Sequence, residues 1–262
     1  MRAMPRDEYD SADVRIEHER RIMTREEETN PIKVTARVAG FLYLLVAVFG
    51  AFGLVYVPSV LIVPGDALTT ANNIVASESL FRLGIVSALI TQTVQILLVL
   101  ALYKLLEPVN RNYALLMVIF ILLGVPIAML NELNHVVVLL LLSGADYLTV
   151  FTPDQLQALV PLFLDLHEHG IMIAHIFWGL WLLPMGYLIF KSGYIPRILG
   201  VLLIIGGFGY LIDFVTFLLF PDFDVTIAEF TFIGELLLPL WLLFKGVDVE
   251  QWEKRALESA RA

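Results

Sequence analysis

Residues 166–190 read LHEHGIMIAHIFWGLWLLPMGYLIF, three histidines and a glutamate running straight into apolar sequence. From Gly170 to Phe190 there is no Asp, Glu, Lys or Arg, and Lys191 follows at once. A bilayer takes roughly 20 residues of helix at about 1.5 Å each, so this stretch predicts a membrane-spanning helix. Five more runs of the same kind lie at 37–57, 80–102, 113–142, 198–220 and 227–244. The expected fold is therefore all-α, a polytopic integral membrane bundle of six transmembrane helices. The run at 113–142 is overlong, which predicts a tilt, a kink at Pro126 or a protruding end.

The composition agrees. Of 262 residues, 58% are hydrophobic and 16% charged, whereas soluble domains run nearer half apolar and a quarter charged. A net charge of -9 excludes a nucleic-acid partner, because phosphate binding needs clustered Lys and Arg. There is no cysteine, which removes disulfides, thiol catalysis and thiolate-bound metals. The expected partners are the lipid bilayer and a small-molecule or ion ligand.

Charge placement predicts the orientation. Lys33 and Arg37 precede the first run, Lys104 and Arg111 separate the second and third, and Lys191 and Arg197 separate the fourth and fifth. Lys245, Lys254, Arg255 and Arg261 follow the sixth. The alternate connections, 58–79, 143–169 and 221–228, carry acids and no Lys or Arg. The positive-inside rule then predicts a plasma-membrane protein with both termini cytoplasmic. Residues 1–32 are expected to be a disordered charged tail, 33–246 the membrane domain and 247–262 a short cytoplasmic tail.

Two outer connections carry helix signals. Asp66 can cap a helix leading toward the second span. Thr152, Pro153 and Gln155 form a capping box, and Leu156, Leu159, Val160 and Phe163 make an apolar stripe. This second piece is expected to be an interfacial helix before the fourth span, the other reading being an extension of that span.

The segments LFRLGIVSALITQTVQILLVLALYKLLEPVNRNYALL and FWGLWLLPMGYLIFKSGYIPRILGVLLIIGGFGYL resemble a prokaryotic membrane-protein family known as domain of unknown function 4386. The resemblance starts near VTARVAGFLYLL and runs to the sixth span. It is most specific over 186–203, and Arg82, His175, Tyr187, Ser192, Pro196 and Tyr210 fall inside the matching elements. It implies a polytopic membrane protein and assigns no catalytic residue.

Ionisable side chains in hydrocarbon cost roughly 2.5–3.5 kcal/mol on insertion scales, yet Arg82, Glu132, His135, Glu168, His175, Asp213 and Glu235 all fall within or beside the spans. By the predicted orientation every one lies in the outer half. This predicts an outward-facing polar pocket that binds or moves a small solute, ion or proton. Arg82 is expected to pair with Glu132, Asp213 or Glu235. Glu132 and His135, three apart, share a helix face, as do Glu168 and His175, seven apart. Those four are the candidate ligands for zinc or iron, which gives the alternative of a membrane-embedded metal-dependent hydrolase; otherwise no cofactor is expected. A third alternative is a structural protein whose polar groups only satisfy one another. His167 and His169 are read as helix-end caps.

Overall fold

The computed structural model describes residues 30–220, 223 and 225–261. Residues 1–29 of the expected disordered tail lie outside the described residues, while its last residues, Pro31 and Ile32, already belong to the first helix. Among the described residues every regular element is helical.

Helix α1 (Pro31–Leu61) starts where the Asn30 side chain accepts from the Ile32 N–H and Pro31 takes the first turn, where a missing N–H costs nothing. It contains one π-helical stretch, Phe52–Tyr56. Helix α2 (Ala67–Ala76) is capped as predicted, the Thr69 N–H donating to Asp66 Oδ1 at 2.9 Å. It breaks at Ser77 before α3 (Glu78–Leu106) begins. Helix α4 (Arg111–Leu141) changes at Glu132, between Arg111–Asn131 and Leu133–Leu141, and not at Pro126, which stays inside the first part. The Asn131 carbonyl at that break accepts from the Asn134 side chain at 3.1 Å.

Helix α5 (Pro153–Ser192) corrects one expectation. The capping box at Thr152 forms, but no separate interfacial helix follows it: one helix of 40 residues runs from Pro153 through Ser192. Pro161 does not end it, because a proline sacrifices one ladder bond and the flanking turns, packed on both sides of it at Val160 and Leu164, hold the path. Gly193, at φ 82, closes the helix in the left-handed region that glycine adopts without strain.

Helices α6 (Arg197–Leu219), α7 (Ala228–Phe244) and α8 (Val249–Ala260) complete the chain. Five helices, α1, α3, α4, α5 and α6, are long and apolar enough to cross a membrane. Helix α7 turns through 103° into α8, and with that pair counted as one span the number is six.

Glycines set the closest helix contacts. Gly186 faces Gly200 and Gly179 faces Gly207, so α5 and α6 meet backbone to backbone at two points seven residues apart on each helix. A Cβ at Gly179 would sit 2.7 Å from the Gly207 carbonyl oxygen. Small residues allow that approach where no water-driven force pulls helices together. Gly200 and Gly207, seven apart in the sequence, lie on one face of α6 for this contact.

The two ends of the bundle differ. At the basic end, Tyr194 Oη and Trp252 Nε1 both donate to the Leu105 carbonyl, at 2.7 and 3.0 Å, and Arg255 donates to the Lys191 carbonyl at 2.9 Å. The segment read as a short C-terminal tail is thus a helix docked across that end. Burial pushes the Tyr194 phenol above its ordinary range. At the acidic end α2 folds back, so Ala71 and Ile74 join Val57, Phe81, Val138 and Val160 in a small separate core. The flank between the ends is covered with exposed apolar side chains such as Leu97, Ile119, Leu123, Ile205 and Phe208, a surface that fits hydrocarbon.

Candidate functional site

Helices α4 and α5 bring the densest polar group together near the acidic end. The change at Glu132 leaves Asn131, Glu132 and His135 on the face turned to α5. Asn131 Nδ2 donates to the His167 carbonyl at 2.8 Å, and Gly170, one turn further, leaves room for that amide; a Cβ there would overlap it. The two helices are thereby locked in register at the depth of the histidines.

Glu132 sits at the centre. Its Oε2 lies 2.9 Å from His135 Nδ1 and its Oε1 lies 3.0 Å from His167 Nε2. All three residues are buried. When Glu132 is ionised its oxygens only accept, and the geometry then calls for a proton on His135 Nδ1 and on His167 Nε2. The two imidazoles stack at 3.7 Å between centroids, and the edge of Phe81 meets His135 at 5.1 Å. One ligand atom from each of Glu132, His135 and His167 lies within 4.8 Å of the others. A cavity of about 300 Å³ adjoins them, with His135, His167, Asp165 and Glu168 on its wall together with Pro58 of α1 and Ile62 just after it.

His167 is the residue that sequence reasoning missed, having read it as a cap. A signal was present. With α5 taken as one helix from Pro153, Val160, Leu164, His167, Ala174 and Trp181 fall on one buried stripe at helical spacing. Ending the helix before His167 hides that register.

The other predicted residues scatter. Arg82 does not meet Glu132, Asp213 or Glu235. Its Nε donates to Glu78 at 2.6 Å, one turn away on α3, and both side chains are more than half exposed. Its long side chain lies on the exposed surface, so no buried partner is needed. Glu168 is exposed on the cavity wall, and His175 points elsewhere, so neither joins the Glu132–His135 group. The sevenfold spacing puts them on one face of α5, but not the face turned to α4.

His175 packs between Trp178 and Tyr210, with ring centroids 5.4 and 5.0 Å away, and its Nδ1 has no hydrogen-bond partner. Asp213 is a cap supplied from a neighbouring helix: the Ile227 and Ala228 N–H groups donate to its Oδ1 and Oδ2 at 2.6 and 2.8 Å, at the start of α7. Glu235 lies deeper on α7, where Tyr43 Oη donates to its Oε2 at 2.9 Å.

A family model described as a domain of unknown function (DUF4386) matches residues 38–246. A relative from Archaeoglobus fulgidus, described as an uncharacterized protein, is 33% identical over 147 residues, which is 56% of this chain and 73% of the relative. No solved structure matches.

Proposed function

The chain belongs to the domain of unknown function (DUF4386) family, and from that premise we propose that it is a plasma-membrane protein binding a divalent transition-metal ion at Glu132, His135 and His167. The observation that carries this reading is the convergence of two imidazole nitrogens and a carboxylate oxygen within 4.8 Å, beside a cavity. Histidine with carboxylate suits zinc or iron. Three protein ligands leave a fourth position for water or a small ligand, and the cavity supplies the space for it. Metal binding would displace the protons on His135 Nδ1 and His167 Nε2. In the proposed orientation all six helices cross the bilayer, both termini are cytoplasmic, and the site opens outward through the acidic end.

A metal-dependent hydrolase is the second reading. Asp165 and Glu168 on the cavity wall favour it, since a carboxylate beside a metal-bound water can take its proton. Hydrolysis of a chromogenic ester or phosphate by the zinc-loaded protein, lost in Glu168→Gln, would select it.

The test of the main reading is zinc titration of chelator-treated protein in detergent. About one zinc per chain is expected, as for a single three-ligand site. His167→Ala should abolish binding, while His175→Ala should retain it. Binding that survives His167→Ala overturns the ligand assignment. For orientation, a cysteine at Asp146 should react with an impermeant reagent on intact cells and one at Arg111 should not.

A further inference from the structure

A second cavity, of about 340 Å³, lies between α1, α3, α5, α6 and α7, apart from the proposed metal site. Its polar lining includes Glu235, Gln92, Gln95 and Thr91, and its inner aromatic lining includes Tyr43, Trp178, Trp181 and Tyr210. Three atoms of those side chains are buried with no hydrogen-bond partner: Glu235 Oε1, Gln92 Oε1 and Trp178 Nε1. Buried polar atoms are nearly always paired, so three orphans on one cavity point to something that the cavity holds.

The charges narrow its chemistry. Tyr43 donates to Glu235 but carries no positive charge, and no Lys, Arg or His lines the cavity among the described residues. A carboxylate among apolar helices needs a counter-charge or a proton. Two of the orphans are acceptors, which call for a ligand with N–H donors, and four aromatic rings favour a cation by their negative faces. The cavity also has a way in. Val55, Phe232 and Leu236 line it and are exposed on the apolar flank, and the π-helical stretch Phe52–Tyr56 of α1 runs beside them. Such stretches often mark functional sites.

We propose that this cavity binds a small protonated primary or secondary amine with an apolar body, held at Glu235 and entering from the lipid side. The ammonium donates to Glu235 Oε1 and to Gln92 Oε1, and the apolar body lies against the rings. The Trp178 N–H is left for an acceptor oxygen on the ligand or for a water.

The test uses the full chain in detergent, with 2-phenylethylammonium as probe and 2-phenylethanol as its neutral counterpart, read by calorimetry and by tryptophan fluorescence. Saturable binding of the amine is expected, with the alcohol roughly tenfold weaker or more, because it lacks the charge-assisted hydrogen bond. Glu235→Gln should weaken the amine by a similar factor and leave the alcohol unchanged. Arg82→Ala should leave both unchanged. If Glu235→Gln does not fold, Gln92→Leu carries the comparison, with a smaller loss expected for the amine alone. No saturable binding to the folded wild type overturns the proposal, as does equal affinity for amine and alcohol; the cavity would then hold water. Zinc content of the same samples is independent of either result, so this site and the metal site fail separately.

Discussion

The group around Glu132 and the group around Glu235 each place one glutamate between helices, and they solve the same problem in opposite ways. At Glu132 both carboxylate oxygens have a partner, one from its own helix and one from α5, and the helices are clamped there by Asn131. At Glu235 only one oxygen has a partner, and the wall around it is aromatic and roomy. A glutamate with two neighbouring imidazoles can be neutralised from within the chain. One beside phenols and a glutamine has no cationic side chain lining its cavity among the described residues, and is neutralised only by a proton or by an occupant's charge. The first group therefore suits a cation that competes with protons, and the second an occupant that brings its own charge.

The largest expected effect should fall on the satisfied group. Glu132→Leu leaves two buried imidazole N–H groups facing an apolar side chain, each costing about 1–3 kcal/mol. A loss of roughly 3 kcal/mol is expected in denaturant unfolding in detergent, together with the loss of zinc binding. A change under about 0.5 kcal/mol would mean that the pairing contributes nothing and would erase the contrast.

Asp213→Ala comes next. It removes both acceptors of the Ile227 and Ala228 N–H groups, and loss of a cap costs about 1–2 kcal/mol. Protection of the amides at the start of α7 against hydrogen exchange should fall, while those around Glu132 keep theirs.

Gln92→Leu acts on the group around Glu235. It deletes an unpartnered buried acceptor, and replacing such a group with an apolar one of similar size is neutral or stabilising. The unfolding midpoint without ligand should stay the same or rise. A clear loss would show that Gln92 is satisfied in the free protein and that the two groups differ less than their geometry indicates.

The smallest effects belong to the acidic rim. Arg82→Ala breaks an exposed pair and should change stability by less than about 1 kcal/mol. The Thr69 N–H, then the Thr69 hydroxyl, hold the Asp66 carboxyl below its usual range. The stability it contributes is present above the unfolded pKa and lost as pH falls through the folded one. Asp66→Ala should therefore be slightly destabilised at neutral pH and match wild type in acid, read as the unfolding midpoint against pH.

How much was legible follows from what helical periodicity carries. The apolar runs and the sevenfold spacing of Gly200 and Gly207 are properties of single helices, and each run lies on a helix of the described structure. The Glu132–His135 pair is of the same kind, because an i, i+3 spacing places both groups on one face whatever packs against them. The Thr152 capping box also forms, yet it opens a 40-residue helix and not an interfacial one, because a local cap states where a helix begins and nothing about where it ends.

What the chain alone determined, then, is a set of apolar helices with one basic and one acidic end, because length, hydropathy and charge act locally. Which acid met which partner depended on how the helices pack. The rotation of each helix is set by contacts with its neighbours, and about 100° separates successive residues on a helix of 3.6 residues per turn. That rotation turned His167 and not Glu168 toward Glu132, gave Asp213 to the start of α7 and Tyr43 to Glu235, and left Arg82 at the rim with Glu78.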